Sequence, residues 1–433
     1  MKIDISLCNC LSRCRGSSRR RRSDAKGRYG DRHRALDSGV VLVAGFGPVG
    51  AVAALTLARA GRRVVVLESA PAVCTDASES RASTFHPPTL EMLADLGVAD
   101  DLVRTGLIAS TYQMRDRRSG AIATFDLALL ADDTPFPYRL QNEQQNLVRI
   151  IEAELRGLPN VEVIFNSRVI GISIDEQSRG TVELGEHTIT ADWVIAADGA
   201  DSAIRKGLGI AFDGMTYPER FLVISTTQDL TELIPDLAGV NNISDAEEWL
   251  VLLRTPRHWR ALFPVDGTAD AALLTSEAAV QARMQRVAPL PVGYPISHVT
   301  LYNVHQRVAS QFRLGHVLFV GDAAHINNPL GGMGMNSGIH DAVAAADALA
   351  SALDGDVSAL ETYAQTRRST ALDFVQAATH RNWEQLQERD ETVRLEREAR
   401  IRATAADPVA AREYLMTSTM LAARPTDRGS DVS

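Results

Sequence analysis

Val40-Val41-Leu42-Val43-Ala44-Gly45-Phe46-Gly47-Pro48-Val49-Gly50 is the stretch that decides the fold. Five apolar residues in a row read as a strand buried on both faces. Three glycines follow in G-x-G-x-x-G spacing, then an apolar-periodic helix through Ala60, stopped at Gly61. A second buried strand, Val64-Val65-Val66-Leu67, ends at Glu68. The first glycine permits a tight turn, the second lets the backbone approach a pyrophosphate, and the third lets helix and strand pack closely. The helix start offers N–H groups and partial positive charge to a diphosphate, with Pro48 and Val49 in its first turn. A carboxylate at Glu68, about 20 residues on, suits ribose hydroxyls. Strand, glycines, helix, strand and acid together predict a dinucleotide site. They do not separate NAD from FAD.

The chain has 433 residues, 45% of them apolar, enough for a large α/β enzyme or two to three domains. Its longest membrane-span candidate, Ala342 to Leu353, is too short and carries Asp347. No transmembrane segment is therefore expected. The net charge of −9 divides unevenly: residues 1–38 carry 11 Lys/Arg and 4 Asp/Glu, a balance of +7, and the remainder carries −16. An acidic body argues against nucleic acid as the main partner. Residues 1–38, with Arg19 to Arg22 in a row, read as a disordered basic tail. Salt-sensitive nucleic-acid binding by this tail is a minor alternative. Cys8, Cys10 and Cys14 lie there without the spacing of a zinc site. Only Cys74 remains in the body, so no disulfide framework is expected and a cytoplasmic setting fits.

Further along, Pro88 to Leu96 and Glu143 to Leu155 read as helices. Val161 to Ile174 and Thr181 to Ala197 read as strands. Phe221 to Thr226 and Trp249 to Pro264 read as part of a separate sheet. Val317 to Val320 is a short buried strand running into Gly321-Asp322, followed by a glycine-rich loop and a long helix from about Met335. Beyond Arg381 the chain turns charged and helical.

Two later segments carry a resemblance. Asp198-Gly199-Ala200-Asp201-Ser202-Ala203-Ile204-Arg205 is similar to D-G-A-x-S-x-[VI]-R, and Gly321-Asp322-Ala323-Ala324-His325 with Pro329-Leu330-Gly331-Gly332-Met333-Gly334-Met335-Asn336 is similar to G-D-A-A-H with P-x-x-G-x-G-x-N. With the first fingerprint, in this order, the chain resembles the p-hydroxybenzoate hydroxylase-like class of FAD-dependent aromatic hydroxylases from Val40 to about His380. The resemblance implies an α/β fold: a Rossmann-like FAD-binding domain, residues 39–215 and 300–380, interleaved with a smaller sheet-based substrate domain, 216–299, and followed by C-terminal helices, 381–433. These last helices would pack on the body or on a second subunit, leaving a homodimer open.

Residue by residue, the resemblance implies cofactor contacts at Gly45, Gly47, Pro48, Val49, Gly50, Glu68, Arg81, Gln144, Val169, Asp198, Asp322, Gly332, Gly334, Met335 and Asn336. Gln145 is the fallback for Gln144, and Arg205 would serve the same motif as Asp198. It implies reduction of FAD by NADH or NADPH, reaction with O2, and hydroxylation of a phenolic or heteroaromatic small molecule through a flavin hydroperoxide. His325, His86 and Tyr217 are weak acid–base candidates, with a packing role expected first. The catalytic acid or base stays unassigned. Flavin-dependent halogenation is disfavoured, because Trp193, Trp249, Trp259 and Trp383 are all isolated. A quinone-pathway hydroxylase at a membrane surface and a non-catalytic flavin- or nucleotide-binding regulator are the remaining alternatives.

Overall fold

The computed structural model describes residues 33–74 and 82–423. Its centre is a six-stranded sheet ordered Arg313–Leu314, Val317–Phe319, Trp193–Ala196, Val40–Ala44, Arg63–Leu67, Val161–Ile164. Every neighbouring pair is parallel except the edge strand Arg313–Leu314. Both faces are covered, which is why Val40 to Ala44 is apolar without alternation and at most 2% exposed. Helices Pro48–Arg59, Gln144–Arg156 and Gly334–Leu353 lie on one face. A four-stranded sheet backs the other, with Ile172, Val182 and Ile189 sharing a core with Val194.

A second, eight-stranded sheet runs His325–Ile326, Ile296–Ala309, Phe212–Thr226, Trp259–Asp266, Leu250–Arg254, Val240–Ser244, Thr111–Asp116, Gly120–Asp126. Helix Glu277–Val287 seals its outer face by packing Val280 and Met284 on Leu222, Ile224 and Phe263. A small sheet of Thr84–Phe85, Arg139–Gln141 and Leu107–Ala109 bridges the two large ones. Helices Glu391–Ala406 and Pro408–Ser418 return to the body. There Ala411 and Leu415 join Phe125 and Leu127, and Tyr414 stacks on Phe125 at 4.4 Å. Among the described residues, no helix is long and apolar enough to cross a membrane.

The structure moves several boundaries. Residues 33–35, placed in the basic tail, form an edge strand parallel to His187–Ala191, with Arg34 opposite Ile189. Long-range pairing holds this strand: the backbone ladder, His33 to the Thr188 hydroxyl at 2.8 Å and Arg34 to Glu162 at 2.9 Å. Residues 1–32 lie outside the described segment, as do the Arg run and Cys8, Cys10 and Cys14. The hairpin 111–126, placed in the cofactor domain, completes the eight-stranded sheet through parallel pairing of Asn241 with Gln113. The cuts at 215/216 and 299/300 fall inside the strands Phe212–Thr226 and Ile296–Ala309, which cross from one region to the other as one antiparallel pair. Trp249 to Pro264 is two strands joined by a turn at Thr255 to His258.

Candidate active site

Four loops leave the central sheet at the same edge. Because Val40–Ala44, Arg63–Leu67, Trp193–Ala196 and Val317–Phe319 are parallel, the residues after them gather at their carboxyl ends. That edge is where open α/β sheets bind ligands. Gly45, Glu68, Asp198 and Asp322 therefore converge, although up to 277 positions separate them in the chain. Backbone bonds tie the loops together. Gly45 N–H donates to Leu67 O at 2.8 Å, and Ala197 N–H donates to Ala44 O at 2.9 Å.

The glycines divide by role. Gly45 has φ +99°, and a Cβ there would lie 2.4 Å from Ala197 O. At Gly50 a Cβ would lie 2.0 Å from Gly45 O, so both residues are needed by the turn itself. Gly47 differs: it is exposed, and a Cβ on it would meet nothing within 4 Å. Its backbone faces open space, as a ligand-approach glycine must.

Two long helices begin at this edge, Pro48–Arg59 after Gly47 and Gly334–Leu353 after Met333. Neither has a side-chain cap or an acid in its first turn. Ser276, Asp390 and Asp407 cap three helices elsewhere, while Pro87–Asp95 and Gln144–Arg156 are uncapped as well, so it is the position at the carboxyl edge that sets these two starts apart. Uncapped N-termini leave N–H groups and positive potential for an anion. Their close approach depends on Gly338, which the sequence reading did not single out. A Cβ there would lie 2.7 Å from Val49 Cγ2 and 3.1 Å from Gly321 Cα. Gly338→Ala is thus expected to lose about 1–3 kcal/mol of stability through overpacking. Val49→Ala in the same chain should restore part of it, as a thermal melt of the single and double variants would read.

Glu68 links the first loop to the segment after its own strand. Its Oε2 accepts from Phe46 N–H at 2.7 Å, and its Oε1 accepts from Ala70 N–H at 2.7 Å and from the Ser69 hydroxyl at 3.0 Å. Val169, expected on a strand, lies in the connection between Val161–Ile164 and Gly171–Ile174. That connection passes beside Glu68, with Ser167 N–H donating to Glu68 O at 2.8 Å. Gln144 opens its helix, and its N–H donates to Ala82 O at 3.2 Å. Arg81 lies outside the described residues. Asp322 is exposed at the edge, Gly332 has φ +68°, and Gly334 and Met335 form the first helical turn.

Three motif side chains serve the loops themselves. Asp198 accepts from the Ser202 hydroxyl at 2.6 Å and from Ile204 N–H at 3.1 Å, which closes its own turn. Burial raises its carboxyl pKa above the ordinary value, and these bonds pull against that rise. Arg205 donates to Ala200 O and Ala323 O and lies over the Phe212 ring, so it joins the two later motifs. Asn336 donates to Thr84 O and Gly332 O and accepts from His86 N–H, which pins the glycine loop to the small sheet.

His325 is no free base. It donates to Asp341 Oδ2 at 2.7 Å and stacks on Phe312. Asp341 also receives Arg367 Nε at 2.7 Å and Gly321 N–H at 3.1 Å, all of it buried. Tyr217 donates to Gln306 Oε1 and accepts from Asn328 Nδ2, and its hydroxyl lies 3.0 Å from His380 Nδ1. Burial raises the Tyr217 phenol above its ordinary pKa, so it stays protonated at neutral pH. His86 is fully buried and donates to Gly331 O; burial, with Arg139 nearby, lowers its pKa to about 3.

An open-floored glycine turn and two uncapped helix starts at the carboxyl edge of a parallel sheet define a dinucleotide-binding fold. Comparison with known proteins narrows this class. The FAD binding domain family model matches residues 39–378. Para-nitrophenol 4-monooxygenase of Pseudomonas sp. strain WBC-3 is 33% identical over 385 residues, covering 87% of this chain and 94% of that protein. The 6-hydroxy-3-succinoylpyridine 3-monooxygenase HspB of Pseudomonas putida is 33% identical over 351 residues, covering 77% and 86%. The crystal structure of p-nitrophenol 4-monooxygenase from Pseudomonas putida DLL-E4 superposes with a TM-score of 0.83 at 33% identity, over 88% of this chain and 97% of that one. The chain belongs to the FAD-dependent aromatic hydroxylase family.

Proposed function

We propose that this protein takes electrons from NADH or NADPH and inserts one atom of O2 into a phenolic or heteroaromatic small molecule. The observation that carries the reading is the pair of uncapped helix starts flanking the open backbone of Gly47. Bound FAD would supply hydride acceptance and oxygen activation there. Gly45, Gly47 and Gly50, with the first turn at Pro48 and Val49, would hold the pyrophosphate. Glu68 Oε2 has one bond from Phe46 N–H and a lone pair left for a ribose hydroxyl. Gln144 and Asp322 would meet the ribityl chain, and Val169 backbone the adenine. Gly332, Gly334 and Met335 would place backbone N–H groups at the flavin's pyrimidine end, where reduction builds negative charge. Asp198 and Asn336 act through the loops they brace. Arg81 is carried on its motif alone.

The substrate would lie between the glycine loop, the small sheet and the inner face of the eight-stranded sheet. Glu143, beside Gln144, takes Arg260 Nη2 at 2.7 Å from that face, a buried ion pair that fixes the two regions' spacing. Closure by these walls would exclude the water that diverts reduced flavin to hydrogen peroxide. No second G-x-G-x-x-G occurs in the sequence, so the nicotinamide donor docks transiently. A cytoplasmic setting fits the single body cysteine, Cys74.

Turnover under labelled oxygen tests the reading. With NAD(P)H and an accepted aromatic, one label should enter the product and one should appear in water. Label-free product, or NAD(P)H oxidation that no aromatic accelerates, would reject it in favour of a binding or sensing role.

A further inference from the structure

The small bridging sheet has two unlike faces. Phe85 and Leu140 point into the main apolar core. On the alternate positions stand Thr84, His86, Arg139 and Gln141, all buried. Thr84 pairs with Gln141 and Phe85 with Leu140, so the antiparallel ladder continues to set His86 opposite Arg139. This is a buried polar face, and it contacts the glycine loop, the eight-stranded sheet and the C-terminal helices. His86 Nε2 bonds Gly331 O. A Cβ at Gly332 would lie 3.2 Å from Thr84. The Arg139 guanidinium sits 4.6 Å from the Tyr112 ring centre of the eight-stranded sheet, and it donates to Ser418 O of the C-terminal helices.

The hydrogen-bond accounts on this face do not close. Arg139 Nε, Gln141 Nε2 and His86 Nδ1 are buried and have no partner among the described residues. Native structures rarely leave such groups unmatched. The charge does not close either. Arg139 is 3% exposed, and the groups acting on its ionisation are two neutral phenols, Tyr112 and Tyr414. Among the described residues no carboxylate pairs with it, whereas the buried Arg260 has Glu143 and the buried Arg367 has Asp341. A buried cation without a counter-charge is costly. His86 does not add to that positive charge, since burial keeps its ring neutral.

We infer that Arg139 is a specificity-determining residue that receives an anionic group of the aromatic substrate, with the Gln141 amide donating beside it. The inference rests on the hydroxylase reading and names the class of aromatic that reading leaves open: one carrying an oxyanion, such as a phenolate or carboxylate. A neutral aromatic in the same place would leave the guanidinium uncompensated. The ligand anion supplies the missing charge and accepts from both orphan donors.

The test compares matched probes on the FAD-loaded enzyme, with binding read from the perturbed flavin absorbance. Para-hydroxybenzoate is paired with para-hydroxybenzamide, and para-nitrophenolate with para-nitroanisole. The wild type should bind the anion of at least one pair about tenfold or more tighter than its neutral partner, the range of a charged hydrogen bond. Arg139→Met should keep its flavin and lose that preference. Gln141→Leu should weaken it, which keeps the inference testable should R139M not fold. Wild-type enzyme that binds no anion of either pair more tightly than its neutral partner overturns the inference, as does R139M retaining the preference. Labelled-oxygen turnover separates this from failure of the hydroxylase reading. An enzyme that hydroxylates neutral aromatics without anion preference keeps its function and loses this role for Arg139.

Discussion

Gly47→Val should give a folded protein that purifies without flavin. The backbone at Gly47, φ −71° and ψ −178°, is open to any residue, and the position where a Cβ would stand is empty. The fold therefore has no reason to resist the change. The proposed cofactor site does, because the second glycine of such a fingerprint is where a pyrophosphate would meet the backbone. Affinity for FAD should fall at least about a hundredfold, roughly 2.7 kcal/mol. The melting temperature of the flavin-free form should stay at the wild-type apoprotein's value. Gly50→Ala is the contrasting variant. Its Cβ would strike Gly45 O at 2.0 Å, so the turn and its strand–helix packing fail along with binding. Fluorescence titration with FAD and circular dichroism separate the two outcomes. A yellow Gly47→Val enzyme of wild-type affinity would move the pyrophosphate away from this turn.

Asp341→Asn should be the most destabilising of the conservative changes near the site. Asp341 is fully buried and receives Arg367, His325 and the Gly321 amide at once. Removing its charge leaves the Arg367 guanidinium buried and unpaired, at a cost of about 3–5 kcal/mol. The damage should reach the cofactor, since Gly321 begins the loop that carries Asp322. The pH dependence has a definite sign. Burial alone would raise the Asp341 carboxyl, but Arg367 and His325 outweigh it and hold the carboxyl below its ordinary value. Its stabilisation is therefore complete above the unfolded carboxylate value of about 3.9, and it is lost as pH falls through the lower folded value. The difference between wild type and variant should be constant from neutral pH to mildly acidic pH. It should shrink below about pH 4. Denaturant melts across that range would read it, and a gap that widens with acid would contradict the assignment.

The first βαβ unit was legible because its signals are local. Val40 to Ala44 is buried on both faces, and each glycine answers a demand within a few residues. What sequence could not carry is long-range pairing. The strand His33–Ala35 has a charged, aperiodic sequence and exists through its pairing, by ladder and by side chain, with residues about 155 positions away. The hairpin 111–126 has its own pattern, yet only its pairing with Val240–Ser244 assigns it to the second sheet. Motif side chains were legible as positions more than as roles. Asp198, Arg205 and Asn336 stand at the expected edge, but their polar atoms are spent on bracing loops. Gly338, Asp341 and Arg367 carry no motif. Their partners lie 16 to 30 positions off or more, so geometry alone identifies them. Arg139 was equally silent, since its lack of a counter-charge among the described residues is visible only once its neighbours are placed.

On the proposed function, a nicotinamide donor would reduce bound FAD for use on an aromatic ring. Anaerobic reduction of the purified protein tests it most directly. The protein should be yellow, and NADH or NADPH should bleach it much faster when one aromatic of a phenolic and heteroaromatic panel is present. Flavin that no donor reduces with any aromatic, or a protein that neither carries nor takes up FAD, would contradict it.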